Sequence, residues 1–326
     1  MPRLLAGAAV LVAAVIAVPV PAAAEPTAAE AAAWSVQPSS RSGPGNRPFF
    51  TYDLSPGGTV ADYVAVTNLG TTPLTFHVYG ADAFTTAAGG YDLLPATTTS
   101  TDAGSWIALG QTTVTVPARS RADIPFTLKV PANATPGDHA AGIVAAITTA
   151  AADAAGNTTR LEQRVGTRLY LRVAGDLRPG LRVDGLTAAY SPGWTPFGGT
   201  LDLSYTVRNT GNTRTAAGQS IDVEALFGLT AATPAVDPLP EMLPGASLDF
   251  RVRVDAPALL RLSAAVALDS PDGATARSSV GVWAWSWYYV VLLVLLTLLI
   301  GLLRRWWRTR STASPEVGEP ATADAR

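Results

Sequence analysis

The chain contains no cysteine, one lysine and two histidines, and each shortage excludes a class of site or fold. A chain without cysteine has no disulfide framework, no Cys…Trp…Cys signature of antibody-type domains and no cysteine-ligated metal. His77 and His139 lie too far apart in the sequence to predict a zinc site. The sequence also lacks a P-loop, a G-x-S-x-G motif and an H-E-x-x-H motif. We therefore expect no catalytic residue, no metal and no cofactor.

Charge is scarce as well. Charged residues make up 15% of the chain and the formal net charge is −2, which argues against a nucleic-acid partner. Thr, Ala, Gly and Pro take the place of the charged residues, and this composition is typical of strands and turns rather than helical bundles. The composition thus favours an all-β protein.

The first 24 residues have the layout of a cleaved signal peptide. Arg3 provides the positive start, Leu4 to Val18 is an uncharged apolar run, and Ala22-Ala23-Ala24 matches the small-residue cleavage pattern. A retained membrane anchor is the alternative interpretation. The short run followed at once by a cleavage pattern favours export.

Residues 283–303 are predicted to form one transmembrane helix, because 21 uncharged residues span about 30 Å. Two groups of aromatic and basic side chains are expected at the membrane interfaces: Trp283, Trp285 and Trp287 at one, and Arg304, Arg305, Trp306, Trp307 and Arg308 at the other. The basic cluster predicts that residues 304–326 form a short cytoplasmic tail, with the preceding domains outside the cell. A buried core helix is the alternative.

The region between the two ends reads as a linker and two domains. Residues 25–45 are rich in Ala, Ser, Pro and Gly, which indicates mostly linker. Short alternating runs with turn residues then predict two Ig-like β-sandwich domains in tandem, at 46–175 (Trp34 being an alternative start) and 178–281. Gly89-Gly90 predicts a two-residue hairpin turn between Ala83 and Leu94.

A weak internal repeat supports the tandem arrangement. Gly58 and Asn68 in the first domain correspond to Gly199 and Asn209 in the second, both at an offset of 141 residues. Pro117 and Pro244 suggest a later offset of 127, which places an insertion in the first domain between Ala81 and Gly110. An asparagine that ends a strand can bond nearby backbone, so the repeat indicates a shared turn rather than a ligand.

The first domain resembles the WxL-interacting surface proteins of Gram-positive bacteria. The matching landmarks, in order, are the run Phe49 to Thr59, Val66-Thr67-Asn68, Ala81-Asp82-Ala83, Gly90-Tyr91, Trp106, Pro117, Val130-Pro131 and the run Pro136 to Ile143. The resemblance covers about residues 34 to 175 and implies that the first domain binds peptidoglycan. For the second domain it implies contact with other cell-surface proteins, WxL-domain proteins among them. The second domain matches mainly at Asn209-Thr210-Gly211-Asn212.

Four side chains are candidates for ligand binding. Trp106 and Trp194 could stack on sugar rings, with a place in the core as the alternative for Trp106 and a structural loop residue for Trp194. Arg119 and Arg121 flank a turn and could pair with wall carboxylates or phosphates, with a solvated edge as the alternative.

These observations favour a non-catalytic, membrane-anchored binding protein that contacts peptidoglycan and other surface proteins. The alternatives are a membrane-tethered chaperone or assembly factor for envelope proteins and a cell-wall hydrolase. An exposed apolar edge strand would favour the assembly factor, an aromatic or arginine-lined groove would favour wall binding, and an acidic pair in a cleft would favour the hydrolase.

Overall fold

The computed structural model of the chain describes residues 32–152, 158–195 and 198–310. The predicted signal peptide at residues 1–24 lies outside this range, and so does the predicted tail from residue 311 onwards.

The described chain up to Val173 folds into two sheets that face each other across one core. The first sheet has the strand order β2-β1-β4-β9-β7, and the second has the order β3-β11-β10-β5-β6 with β8 beside β5. The strands are β1 Trp34–Ser40, β2 Gly43–Pro44, β3 Phe50–Leu54, β4 Thr59–Asn68, β5 Leu74–Thr85, β6 Tyr91–Leu93, β7 Ile107–Leu109, β8 Thr113–Val116, β9 Arg121–Lys129, β10 Gly137–Ala152 and β11 Thr158–Val173.

A second sandwich follows, with its own core. Its sheets have the orders β12-β13-β17 and β15-β14-β18-β19, and β16 pairs with β14. The strands are β12 Leu181–Pro192, β13 Gly199–Asn209, β14 Thr215–Ala225, β15 Thr230–Ala232, β16 Leu239–Met242, β17 Ser247–Asp255, β18 Leu260–Asp269 and β19 Thr275–Ala284. The prediction of two Ig-like sandwiches in tandem is confirmed.

Alternation of apolar and polar residues explains why these segments form strands. On β4, Val64 and Val66 are fully buried while Ala61 is exposed, and on β5 the buried Phe76 and Val78 flank the exposed His77. Around Phe76, β5 therefore directs one face into the core and the other outward, as period-two patterning requires. Consecutive residues from Val64 to Val66 on β4 and from Ile143 to Ile147 on β10 are instead buried on both faces.

The helix α1, Trp287–Arg310, follows the last strand after two residues. Its segment Trp287–Arg308 is long and apolar enough to cross a membrane. Its side chains from Val290 to Arg308 are exposed, so the described parts of the protein do not cover them.

Three predicted boundaries need correction. The segment interpreted as linker holds β1 and β2 from Trp34, and β1 pairs with β4 from Trp34↔Asn68 to Ser39↔Tyr63. The helix begins at Trp287 rather than Trp283, because Trp283 belongs to β19 and pairs with Arg261. The second sandwich accordingly runs to Ala284 rather than 281.

The Gly89-Gly90 hairpin exists, but its turn is longer than predicted. Thr85 pairs with Tyr91, so residues 86–90 form a five-residue loop. The Thr86 N–H donates to the Gly90 carbonyl at 2.7 Å and closes this loop. Only Gly89 of the pair has a positive φ, at 79°, whereas a two-residue type I′ turn needs two such residues.

The internal repeat is structural. Asn68 and Asn209 are both fully buried at the end of a strand, β4 and β13. The Asn68 Nδ2 donates to the carbonyls of Thr72 and Val116 at 2.8 and 3.1 Å, and the Asn209 Nδ2 donates to those of Thr213 and Met242 at 2.8 and 3.1 Å. The same corner is therefore built twice.

The later correspondence between the two sandwiches has a sequence offset of 126 residues rather than the predicted 127. The Asn68 N–H donates to Ser120 O and the Asn209 N–H donates to Ala246 O, and 246 − 120 = 126. Strands β9 and β17 begin at Arg121 and Ser247 with the same offset. The first sandwich thus carries 141 − 126 = 15 additional residues, and β6, the 3₁₀ turn Ala103–Trp106 and β7 occupy the predicted insertion segment.

Candidate functional site

The two sandwiches meet end to end through a polar junction. Asn212, just past the Asn209 corner, donates from Nδ2 to the carbonyls of Pro136 and Asp176, each at 2.8 Å. Its own carbonyl accepts the Asp138 N–H at 2.7 Å, and its Oδ1 accepts the Arg178 N–H at 2.6 Å. One asparagine therefore ties the start of β10, the linker and the second sandwich together.

Asp138 forms the charged half of this junction. Its carboxylate accepts two hydrogen bonds from the Arg172 guanidinium, at 2.7 and 2.9 Å, and one from the Arg214 N–H at 2.9 Å. Burial alone would raise the pKa of Asp138, but the hydrogen bonds from Arg172 and Arg214 outweigh it and lower the pKa. The carboxylate is therefore charged at neutral pH.

Aromatic and arginine side chains cover the remaining interface. Arg214 of the second sandwich stacks over Tyr170 at 4.1 Å and pairs with Glu241 at 3.1 Å. The Tyr170 hydroxyl donates to the same Glu241, and Leu243 packs against Tyr170. Next to them, Tyr91 meets Tyr170 edge-on and carries Arg168 over its ring at 4.9 Å.

Both flanks of the junction are tightly packed. Gly137, with φ 125°, has no room for a Cβ because Asn212 lies against it, and a Cβ on Gly89 would collide with Pro240. The cleft between Pro136, Arg178 and Asn212 is open and shallow, with a volume of about 420 Å³. The two sandwiches are therefore in direct contact on both flanks of the junction.

A histidine cluster lies beside this junction. His139 Nδ1 is 2.7 Å from Asp102 Oδ1, its Nε2 is 2.9 Å from the Thr135 carbonyl, and the ring of Trp106 lies 4.9 Å away. Burial would lower the pKa of His139, but the bond to Asp102 and then that to Thr135 outweigh it and raise the pKa. Both ring nitrogens face acceptors, which satisfies the protonated imidazolium.

The candidate ligand residues do not converge. Trp106 is half-buried and packs against the first core and His139. This position is nearer to the alternative of a core residue than to that of an exposed sugar-stacking residue. Arg119 and Arg121 are exposed at the β8–β9 turn, and Arg121 pairs with Asp123 at 3.1 Å. Trp194 is 93% exposed in the β12–β13 loop, so its interpretation as a structural loop residue is wrong.

Strand register fixes where these residues lie along the molecule. β10 starts at the junction, with Ala141 opposite Asp82, and β5 runs from there to Leu74 opposite Val116. Arg119 therefore lies about 12 residues, or ~40 Å, from the junction at the far end of the first sandwich. Trp194 lies at the other extreme, because β12 and β13 run away from the junction to the end where β19 enters α1.

No group of three or more His, Asp and Glu side chains is placed to hold a metal ion in the part of the chain that the structure describes. His139 and Asp102 are in contact, but no described serine or cysteine completes a nucleophile with them. Sequence reasoning missed this pair and the Asn212 junction, because their partners are 37 and 76 residues apart. The sequence feature that came closest to indicating both contacts was the group of resemblance landmarks from Pro136 to Ala140, which contains His139 and Pro136.

No protein-family model and no curated protein matches this chain. Solved structures whose backbone is similar to that of this chain include the class 5 fimbriae chaperone CfaA. It has 11% identity and a TM-score of 0.35, over 78% of this chain and 100% of that chain. Another is the CsuC–CsuE chaperone–tip subunit pre-assembly complex from archaic chaperone-usher pili of Acinetobacter baumannii. It has 10% identity and a TM-score of 0.36, over 76% of this chain and 97% of that chain. At these TM-scores the likeness says nothing about what the present chain binds.

Proposed function

We propose that this chain is a non-catalytic, membrane-anchored binding protein of the cell surface, in which the second sandwich holds the first away from the membrane. The observation that carries the proposal is that α1 and the first sandwich are attached at opposite ends of the second sandwich. α1 leaves from one end of the second sandwich, and the first sandwich is joined at the other end. The 11 residues of β13 span ~36 Å between these ends.

The far end of the first sandwich is the proposed ligand-binding end, and peptidoglycan is the proposed ligand. Arg119 and Arg121 lie there, at the end of the first sandwich that is remote from α1. The Arg119 side chain makes no hydrogen bond or ion pair with any residue in the described ranges, so its charge is available to a wall carboxylate or phosphate. The resemblance to WxL-interacting proteins supports the same ligand and adds surface proteins as partners.

The test is co-sedimentation of the purified full chain, in detergent, with peptidoglycan sacculi. We expect the chain to sediment, and we expect the Arg119→Gly/Arg121→Ala variant to lose most of this binding. The matched control is Arg277→Ala, which removes an exposed arginine from β19 of the second sandwich. Equal binding by all three proteins would place the ligand elsewhere, and no binding by the wild-type chain would remove the wall ligand.

One feature favours an assembly factor as a second candidate. β11 pairs with β3 only from Leu169 to Val173, so residues 162–168 of β11 pair with no described strand on the side opposite β10, although β1 lies close to β11. An edge of this kind can accept an extended chain by strand addition. However, Glu162, Arg164 and Arg168 give this edge charged side chains, which natural proteins use to discourage pairing.

A holding assay separates the two candidates. An assembly factor would prevent aggregation of an unfolded exported β-protein at near-equal molar ratio, and Val165→Pro on the open edge would abolish this protection. A wall-binding protein would leave the aggregation unchanged and would sediment with sacculi.

A further inference from the structure

The exposed large apolar side chains of the second sandwich gather at one end of it. They are Trp194 (93% exposed), Leu226, Leu229 (63%), Leu260, Trp283 (60%) and Trp285, and we name this set the apolar rim. Every other leucine and tryptophan in the described parts of the second sandwich is at least partly buried. An exposed apolar patch of this kind marks an interaction surface.

Strand pairing shows that the apolar rim is one surface although its residues come from four segments. Pro192 pairs with Gly199 around the Trp194 loop, and Thr200 pairs with Asp255 next to it. A short connection leads from Asp255 to Leu260, which pairs with Ala284. Ala225 pairs with Leu262, so the turn that carries Leu226 and Leu229 lies at the same end.

One hydrogen bond ties this end of the sandwich to the first turn of α1, and a second braces the connection that accepts it. The Tyr190 hydroxyl of β12 donates to the Ala256 carbonyl at 3.3 Å, and the Tyr289 hydroxyl of α1 donates to the Ala258 carbonyl on the same connection. Ser286, between β19 and α1, is buried. The helix is therefore fixed to the sandwich rather than hanging from a free linker.

Chain geometry decides what the apolar rim can contact. Three residues from Ala284 to Trp287 span at most ~10 Å. When α1 crosses a membrane, Leu260, Trp283 and Trp285 then lie within about that distance of the lipid headgroups, and the remaining residues of the apolar rim lie at the same end of the sandwich. Tryptophan and leucine at this depth gain from leaving water, and tryptophan favours the interfacial region in particular.

We propose that the apolar rim seats the second sandwich on the membrane surface, with Trp194 inserted among the lipid headgroups. This inference rests on the membrane anchoring by α1 in the proposed function. It makes Trp194 a lipid contact rather than a sugar contact. It also fixes the direction in which the second sandwich points, because the domain end and the helix both contact the bilayer.

Charge does not drive this contact. Arg261 lies over the Trp283 ring at 5.5 Å and can meet a lipid phosphate, but the exposed Glu224 and Asp255 lie at the same end. The net charge at this end of the sandwich is small. We therefore expect the membrane contact to depend on apolar burial and to persist on uncharged lipid and at high salt.

The absence of cysteine allows a direct test with the full chain in phosphatidylcholine bilayers doped with a nickel-chelating lipid. A single spin label is attached at Thr195→Cys, next to Trp194. Matched labels are placed at Leu69→Cys, exposed in the first sandwich, and at Leu295→Cys in α1. We expect strong relaxation by headgroup nickel at 195, none at 69, and hydrocarbon depth at 295.

A Trp194→Ser/Leu229→Ser background completes the design. Both side chains are exposed, so the melting temperature should not change, while the nickel relaxation at 195 should be largely lost. Trp194→Ser alone should lose part of it. The label at 195 could show no more nickel relaxation than the label at 69, while the label at 295 lies in the hydrocarbon. That result would overturn the seating of the second sandwich on the membrane but would leave the membrane anchoring by α1 in place. If 295 is in water, the anchoring fails as well. An immobile label at 195 without nickel contact would indicate a contact between copies and would also overturn the proposal.

Discussion

Arg119 occupies in the first sandwich the left-handed backbone position that Gly245 occupies in the second. Arg119 has φ 51° and its N–H donates to Gly70 O, while Gly245 has φ 77° and its N–H donates to Asn209 O. A glycine adopts this conformation freely, whereas a residue with a Cβ adopts it at a cost of ~1 kcal/mol. The first sandwich therefore carries an exposed arginine at an unfavourable position.

Arg119→Gly is expected to leave the free energy of unfolding unchanged or to raise it by up to about 1 kcal/mol, because relief of the backbone strain offsets the greater freedom of glycine in the unfolded chain. Urea unfolding of the full chain in detergent measures the effect. The reciprocal control, Gly245→Arg, should lower the stability of the second sandwich by ~1 kcal/mol or more. A clear loss of stability in Arg119→Gly would mean that the arginine side chain supports the fold.

Asn68→Ala should destabilise the first sandwich by about 2–4 kcal/mol, since it leaves the carbonyls of Thr72 and Val116 without a donor inside the corner. Asn209→Ala should do the same to the second sandwich. Thermal melting checks both. Asn133→Ala, at an exposed loop position, is the control and should change stability by less than ~0.5 kcal/mol. Comparable melting of Asn68→Ala and Asn133→Ala would contradict the structural role of the corner.

His139 predicts a pH dependence with a defined sign. Its folded-state pKa is raised above the ordinary 6.5 because the bonds to Asp102 and Thr135 outweigh burial. The stabilisation is therefore fully present below pH 6.5 and is lost as the pH rises through the folded-state pKa. His139→Gln should flatten this slope in melting temperature, whereas His77→Gln, on an exposed strand face, should preserve it. An unchanged slope in His139→Gln would exclude the pair as its source.

Gly137→Ala should loosen the junction without unfolding either sandwich, because the new Cβ would collide with Asn212 and force the domains apart. The distribution of distances between one spin label in each sandwich should broaden. Gly185→Ala is the matched control, since Gly185 also has a positive φ, 63°, but nothing lies within 4 Å of its Cβ position. If both variants keep a narrow distance distribution, the junction does not depend on this contact.

The all-β class, the two sandwiches and the apolar helix followed from the sequence, because period-two alternation and an uncharged run are local properties. The shared asparagine corner was also visible as Asn68 and Asn209, since its glycine and asparagine neighbours lie within a few residues. The boundaries were less secure. Trp283 has the composition of the apolar run but pairs in a strand with Arg261, which no local pattern reports.

Contacts between distant residues were decided by the tertiary structure alone. Asn212 and Pro136, or His139 and Asp102, become neighbours only when strands pair across many residues, and the free energy of such pairing depends on every strand between them. The same holds for Trp194, a lone loop residue in the sequence. Only the register of β12, β13, β18 and β19 places it beside the start of α1. The sequence by itself determined which residues are apolar, and the fold determined that these apolar residues share one end of a domain.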